Sequence, residues 1–371
     1  IIIYIITQRK FGEYVKKPNT TLAKEEKKAI NKNVFSLLFH KIGGVIVFGT
    51  DSLIIYIFLN SATLGKYSNY TMITGYVAIV FSTIIGALRG SIGNSIASQD
   101  RTTNYKLFNK LNFLYMWIVS FCAICIFTLS DPFIDVVLTK GGSILTLDQS
   151  VLFLLTFSFY LTNSRYMLNT FKECSGLFYQ DRYKAIIESI INLVASLVLV
   201  SLIGLPGVII GTIISTISTC LWVEPYVLNK HYFKKSTFTY FGKYLIYTGA
   251  MLISGVTTYF VCNLIQINTI WTLIAKFAIC AVVPNVMILI CLCWMPEFKE
   301  CVKWGMEIIK GFLHRKKRGV PVGASEESAS TVDIVVSNID VDKYGLVDLQ
   351  VTMPVIDASE QELTDDNSET E

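Results

Sequence analysis

The sequence predicts an all-α, polytopic membrane protein, and three observations carry that prediction. Of its 371 residues 52% are hydrophobic and only 16% charged, where soluble chains average about 25% charged. The apolar residues gather into runs of roughly 20, the length that crosses a bilayer core of about 30 Å. The basic residues collect in alternate connections between those runs. Together these exclude an ordinary soluble enzyme.

Eight runs qualify in chain order: Ile42–Leu59, Met72–Ala97, Leu111–Ser130, Ser150–Phe171, Ala185–Ile203, Gly207–Leu228, Tyr244–Ile265 and Ile270–Met295. Breaks such as Asp131-Pro132 and Gly204-Leu205-Pro206-Gly207 separate them. Ahead of the first, Ile1–Ile6 reads as the last two turns of a further helix, so the chain is expected to be a C-terminal fragment. A signal peptide is excluded there, because no basic segment or small-residue cleavage site accompanies the run. Residues 7–41 form a basic loop, residues 42–228 a six-helix lobe, and residues 244–295 a trailing pair of helices. Between Phe298 and Leu313 apolar Val302, Met306, Ile309 and Leu313 alternate with lysines, and Arg315-Lys316-Lys317-Arg318 follows. That pattern, within residues 298–318, suits an amphipathic helix on an anionic leaflet, with a plain solvated helix as the alternative. Residues 319–371 hold thirteen acidic residues and one lysine. They are expected to be a mostly disordered tail, although Val332–Val336 alternates like a strand.

Orientation follows from counting. With residues 7–41 in the cytoplasm and sides alternating from there, the cytoplasmic connections collect 26 Lys and Arg and the outer ones two, Lys66 and Lys140. By the positive-inside rule both ends of the chain face the cytoplasm of a cell membrane. The longest outer loop, Asp131–Gln149, is too short for a folded domain.

Ionisable residues within spans are expensive and point to function. Arg89 stands 17 residues into its run, roughly 25 Å deep at about 1.5 Å per residue. Arg165 lies 15 residues into another, roughly 22 Å deep. Asp51 falls near a midplane, and Glu188 one turn inside the next run. Ser82, Gly86, Gly90, Asn94 and Ser98 recur every fourth residue around Arg89. Small residues at that spacing either let helices approach closely or leave room for something that is not protein. Arg89 accordingly either snorkels or projects into a water-filled cavity. Glu188, Asn192 and Ser196 form one polar stripe, and Arg165 is placed to pair with Glu188, in a structural bridge or in a gating or substrate role. Lys276 is expected to snorkel outward. Arg89, Arg165, Asp51, Glu188 and Asn192 are therefore the candidate binding residues. Arginines from different helices suit an anion, and phosphate above all. The nine cysteines, including Cys122-x-x-Cys125 and Cys291-x-Cys293, read chiefly as small hydrophobes in helices. No catalytic set, metal site or cofactor is expected.

Several blocks occur together between about Lys24 and Ile265: His40-Lys41-Ile42-Gly43-Gly44, Gly49-Thr50-Asp51, Tyr67-Ser68-Asn69-Tyr70, Lys110-Leu111-Asn112-Phe113, Phe178-Tyr179-Gln180-Asp181-Arg182-Tyr183-Lys184, Gly207-Val208-Ile209-Ile210-Gly211-Thr212-Ile213-Ile214-Ser215 and Trp222-Val223-Glu224-Pro225-Tyr226. On these the chain resembles the Wzx-type oligosaccharide-lipid flippases, polysaccharide biosynthesis proteins of the multidrug/oligosaccharidyl-lipid/polysaccharide exporter superfamily. The resemblance implies fourteen helices in two lobes, of which this chain would carry helices seven to fourteen, with the N-terminal lobe missing. It implies a substrate, an undecaprenyl-diphosphate-linked oligosaccharide turned to the outer leaflet for capsule or other surface polysaccharide. Alternating access would move it without covalent chemistry, and Arg89 matches a cavity arginine by helix position. Its partners would be that lipid, the surrounding membrane lipids and polysaccharide assembly proteins, not nucleic acid. A drug or metabolite antiporter on the same fold and a membrane glycosyltransferase or polymerase are the rival readings.

The topology has a direct test on a cysteine-free background. Thr20→Cys, Lys235→Cys and Ser325→Cys are expected to react with an impermeant maleimide only from the cytoplasmic side. Ala62→Cys and Ser143→Cys should react from outside. Outside labelling of Lys235→Cys overturns the orientation.

Overall fold

The computed structural model describes residues 24–138, 145–265 and 270–317, which are almost wholly helical and include no β-strand. The expected clipped helix at residues 1–6, the acidic tail and its alternating stretch at 332–336 lie outside the described residues. The helical outcome follows from the solvent: hydrocarbon offers no hydrogen bonds, so a spanning segment has to satisfy its own backbone. Even the isoleucine-rich stretch after Gly207, with its low helix propensity in water, is helical throughout.

In chain order the helices are α1 (Lys24–Phe58), α2 (Ser61–Ser98), α3 (Arg101–Phe133), α4 (Gln149–Asn163), α5 (Tyr166–Cys174), α6 (Lys184–Ile203), α7 (Leu205–Ser215), α8 (Leu221–Leu228), α9 (Thr237–Asn263), α10 (Ile270–Leu292) and α11 (Pro296–Lys317). Single π-helical turns follow α3, join α7 to α8 and follow α8, so Leu205–Phe233 is one continuous rod. Six helices among the described residues are long and apolar enough to cross a membrane: α2, α3 with its π turn, α6, the α7–α8 rod, α9 and α10.

Two sequence expectations change. Residues 24–41 are helical, as part of α1, rather than part of a loop. The run expected as one span at Ser150–Phe171 is two helices, α4 and α5, parted at Ser164-Arg165. Two interactions account for the break. The Ser164 hydroxyl turns to Tyr244, 3.0 Å away on α9, and Arg165 turns to Glu224 on α8.

Helix ends are closed by short polar side chains. Asn60 caps α2 by accepting from the Thr63 amide at 2.7 Å. Asp100 caps α3 by accepting from the amides of Thr102 and Thr103 at 2.9 and 3.3 Å. With the Thr103 hydroxyl also donating, these bonds hold the Asp100 carboxyl below the usual carboxylate range.

Helix α3 is the hub. Fourteen of its residues are buried, and it packs against α2, α4, α5, α9 and α10. The Trp117 indole donates to Asn285 of α10 at 2.9 Å. Rings of Phe108, Phe171 and Phe233 meet at 5.2–6.3 Å and join α3, α5 and the π turn after α8. Phe298 of α11 stacks on Trp117, Lys110 lies over Trp304 at 5.2 Å, and Glu297 pairs with Lys243 of α9 at 2.5 Å. The first turns of α11 are thus docked on the bundle. The trailing pair α9–α10 packs on α3 as well, inside one compact unit that runs to Gly305.

The tightest packing lies between α6 and α7. Gly204, at φ +68°, turns the chain between them. A Cβ at Gly207 would lie 2.3 Å from the Leu199 carbonyl oxygen, and one at Gly211 2.7 Å from the Ser196 nitrogen. Glycine four residues apart is what lets the two backbones touch. By contrast nothing among the described residues lies within 4 Å of a Cβ built on Gly86, Gly90 or Gly93 of α2.

This contrast predicts opposite mutational outcomes at the same spacing. Gly207→Val and Gly211→Leu should each destabilise the protein by about 1–3 kcal/mol or more, read as a lower thermal midpoint in detergent and less protein in the membrane. Gly86→Ala and Gly90→Ala should leave both unchanged. Equal losses from the two pairs would show that the α2 glycines are packed.

Candidate functional site

Three polar clusters lie within the helices. In the first, α2 is the least covered of the six apolar spans, with five buried residues, Tyr70, Phe81, Ile85, Ile92 and Ser95, in 38. Its small-residue stripe faces away from that buried side. Arg89 lies at the edge of that stripe beside α5, with 55% of its side chain exposed, and Nη1 meets Glu173 of α5 at 2.9 Å. Of the two readings of the stripe, close helix packing has no support among the described residues, because the space beside the glycines is open. An exposed arginine that spends one nitrogen on its carboxylate keeps other donors with which to meet a second anion.

The second cluster is buried. Glu224 on α8 has no exposed surface, and one oxygen, Oε1, receives both Arg165 Nη1 at 3.1 Å and the Lys184 ammonium. Its Oε2 and Arg165 Nε have no hydrogen-bond partner. Lys172 and Asp181 form a second buried pair near it. The expected Arg165–Glu188 pair is therefore corrected. The α6 carboxylate nearest Arg165 is half buried one turn beyond Lys184 and adds only to its field. The π turn Thr216–Cys220 precedes α8, which presents the fully buried Glu224 to the guanidinium. Glu224 lies inside the apolar run Gly207–Leu228 and meets the criterion that singled out Asp51, so the signal for it was in the sequence. Lys184 and Lys172 carried none, since they read as ordinary basic residues of a connection.

The third cluster joins α1, α6 and α7. Thr212 Oγ1 donates to Asp51 Oδ2 at 3.1 Å and accepts from Asn192 Nδ2 at 3.0 Å. Asp51 Oδ1 and Asn192 Oδ1 are buried without partners. Ser196 donates to the Val208 carbonyl at 3.3 Å. The stripe Glu188, Asn192, Ser196 is thus mainly a seam between α6 and α7. Two free carboxyl and amide oxygens suit a proton or a small hard cation. Among the described residues no group of three or more His, Cys, Asp or Glu is placed to hold a metal ion. Lys276, expected to reach outward, is instead buried at 8% exposure on α10.

The clusters also mark the two ends of the bundle. Arg165, Lys184, Lys243 and the Asn104–Tyr232 bond lie at the end where the basic connections meet. At the other end Tyr70 bonds Asp131 and accepts from the Leu147 amide at 3.1 Å. No protein-family description, curated protein or solved structure matches the chain.

Removing one partner of a buried ion cluster strands the others. Glu224→Gln leaves two cations unpaired in the interior and should destabilise the protein by about 3–5 kcal/mol. Glu188→Gln, at a half-buried carboxylate, should cost far less. Thermal unfolding of both variants in detergent checks this, and equal midpoints would overturn the assignment of Glu224 as the keystone.

Proposed function

We propose that the chain is part of a membrane flippase for a polyprenyl-diphosphate-linked oligosaccharide, working by alternating access in the making of surface polysaccharide. One observation carries the reading: Arg89 is exposed at the edge of the open, small-residue face of α2, with one guanidinium nitrogen on Glu173. Guanidinium offers a planar pair of donors that matches a diphosphate oxygen edge. The small residues leave room beside it for a bulky headgroup, and apolar surface on the rest of α2 keeps a lipid tail in the bilayer. The sequence resemblance supplies the substrate class, and the 26-to-2 charge asymmetry supplies the direction, from the basic face outward. In this reading Glu173 holds Arg89 in place while the site is empty, and the diphosphate displaces it.

A second reading has its own observation. The buried Asp51–Thr212–Asn192 cluster is the arrangement a cation-coupled antiporter for drugs or metabolites would use. The two readings differ in which residue is indispensable, Arg89 or Asp51.

The test compares surface polysaccharide with membrane protein level in a strain that depends on this protein. Arg89→Ala should abolish export at normal abundance. Arg89→Lys should recover only part, because an ammonium lacks the paired donors. Arg89→Glu combined with Glu173→Arg restores the ion pair but inverts it, and should remain inactive. Recovery of export by the inverted pair would mean that Arg89 serves the fold alone. Full export by Arg89→Ala at normal abundance would remove it from the site.

A further inference from the structure

Three cysteines from three helices meet beside Leu129 in a small cluster separate from the main core. Cys262, near the end of α9, and Cys280, on α10, are both buried, and their sulfurs lie 3.8 Å apart although 18 residues separate them in the chain. Cys125 of α3 stands behind, its sulfur 3.9 Å from the Cys280 carbonyl oxygen. Lys276 precedes Cys280 by one helical turn, on the same face of α10. It is buried, makes no ion pair among the described residues, and lies within electrostatic reach of Cys262. A buried ammonium without a carboxylate beside two touching thiols is not accounted for by packing. The local Cys122-x-x-Cys125 and Cys291-x-Cys293 spacings do not show this pair, because it forms only when α9 and α10 fold together.

We propose that Cys262 and Cys280 are a redox pair that closes to a disulfide and staples α9 to α10. Sulfur atoms 3.8 Å apart are in van der Waals contact and have only to close to about 2.05 Å to bond. The thiolate is the attacking form, and Cys262, which lies within reach of the Lys276 charge, is taken as the first nucleophile. With a diazenedicarboxamide as oxidant, the Cys262 thiolate adds to the N=N bond, and the Cys280 thiolate then attacks the Cys262 sulfur and expels the hydrazine. Two thiols lose two electrons and two protons, and the N=N bond gains both. On the charge asymmetry of the sequence the pair lies toward the outward end of α9, where an oxidising environment is met first.

The experiment uses the full chain in detergent, reduced and then treated with the diazenedicarboxamide. Free thiols are counted by maleimide mass-tagging after denaturation, and linked peptides are mapped. Wild-type protein should lose two of its nine thiols and yield one linked peptide joining Cys262 to Cys280. Cys262→Ala and Cys280→Ala should lose none, and Cys125→Ala should still lose two. Lys276→Met should reach the same end point several-fold more slowly. Retention of all nine thiols in the wild type, or a linked peptide that pairs Cys125 instead, overturns the proposal. The peptide map reads the wild type directly, so the pairing is decided even where a variant fails to accumulate.

Discussion

Glu224 has no exposed surface, so the solvation its carboxylate gives up has to be replaced by Arg165 and Lys184. Much of the local architecture follows from that demand. Arg165 turns to Glu224 at the point where the α4–α5 run is interrupted, Ser164-Arg165. Lys184 delivers its charge because α6 begins there, after the buried Lys172–Asp181 pair has fixed the connection. The two π turns that bracket α8 set the rotation of the short segment carrying Glu224-Pro225. One acid thus ties α5, α6 and α8 together at the end where the aromatic rings of Phe108, Phe171 and Phe233 also converge.

The same residue type serves opposite purposes in this chain. On α7, Gly207 and Gly211 remove side chains so that α6 can lie against the backbone. On α2, Gly86 and Gly90 share that four-residue spacing and face open space. The first use holds the fold together. The second keeps a surface clear around Arg89, which supports the proposed anion site there.

Helix class and most span positions were legible because a bilayer makes a strong and simple demand on composition and length. The hydrophobic runs marked α2, α3, α6, α9 and α10 to within a few residues at most ends. Hydropathy cannot register where a run breaks to satisfy a distant charge, and so Ser150–Phe171 read as one span. Among the candidate residues, Asp51 and Asn192 do come together, through Thr212, which sequence alone did not single out. Arg165 found Glu224 instead of Glu188, since partner choice depends on helix rotation, and π turns alter rotation without changing composition. Arg89 was identified by its depth in an apolar run, but Glu173 lies outside the runs and gave no signal.

Helix α2 is 38 residues long, about 57 Å at the usual rise, while the hydrocarbon core measures about 30 Å. Such a helix has to lean or leave its ends standing clear of the lipid. Bilayer thickness therefore acts on α2 as a lever. A thicker membrane draws the helix upright and a thinner one lays it over, and Arg89 rides on that helix while Glu173 sits on the far shorter α5. Lipid chain length thus becomes a variable that sets how closely the guanidinium and its carboxylate meet, independent of any change in the protein.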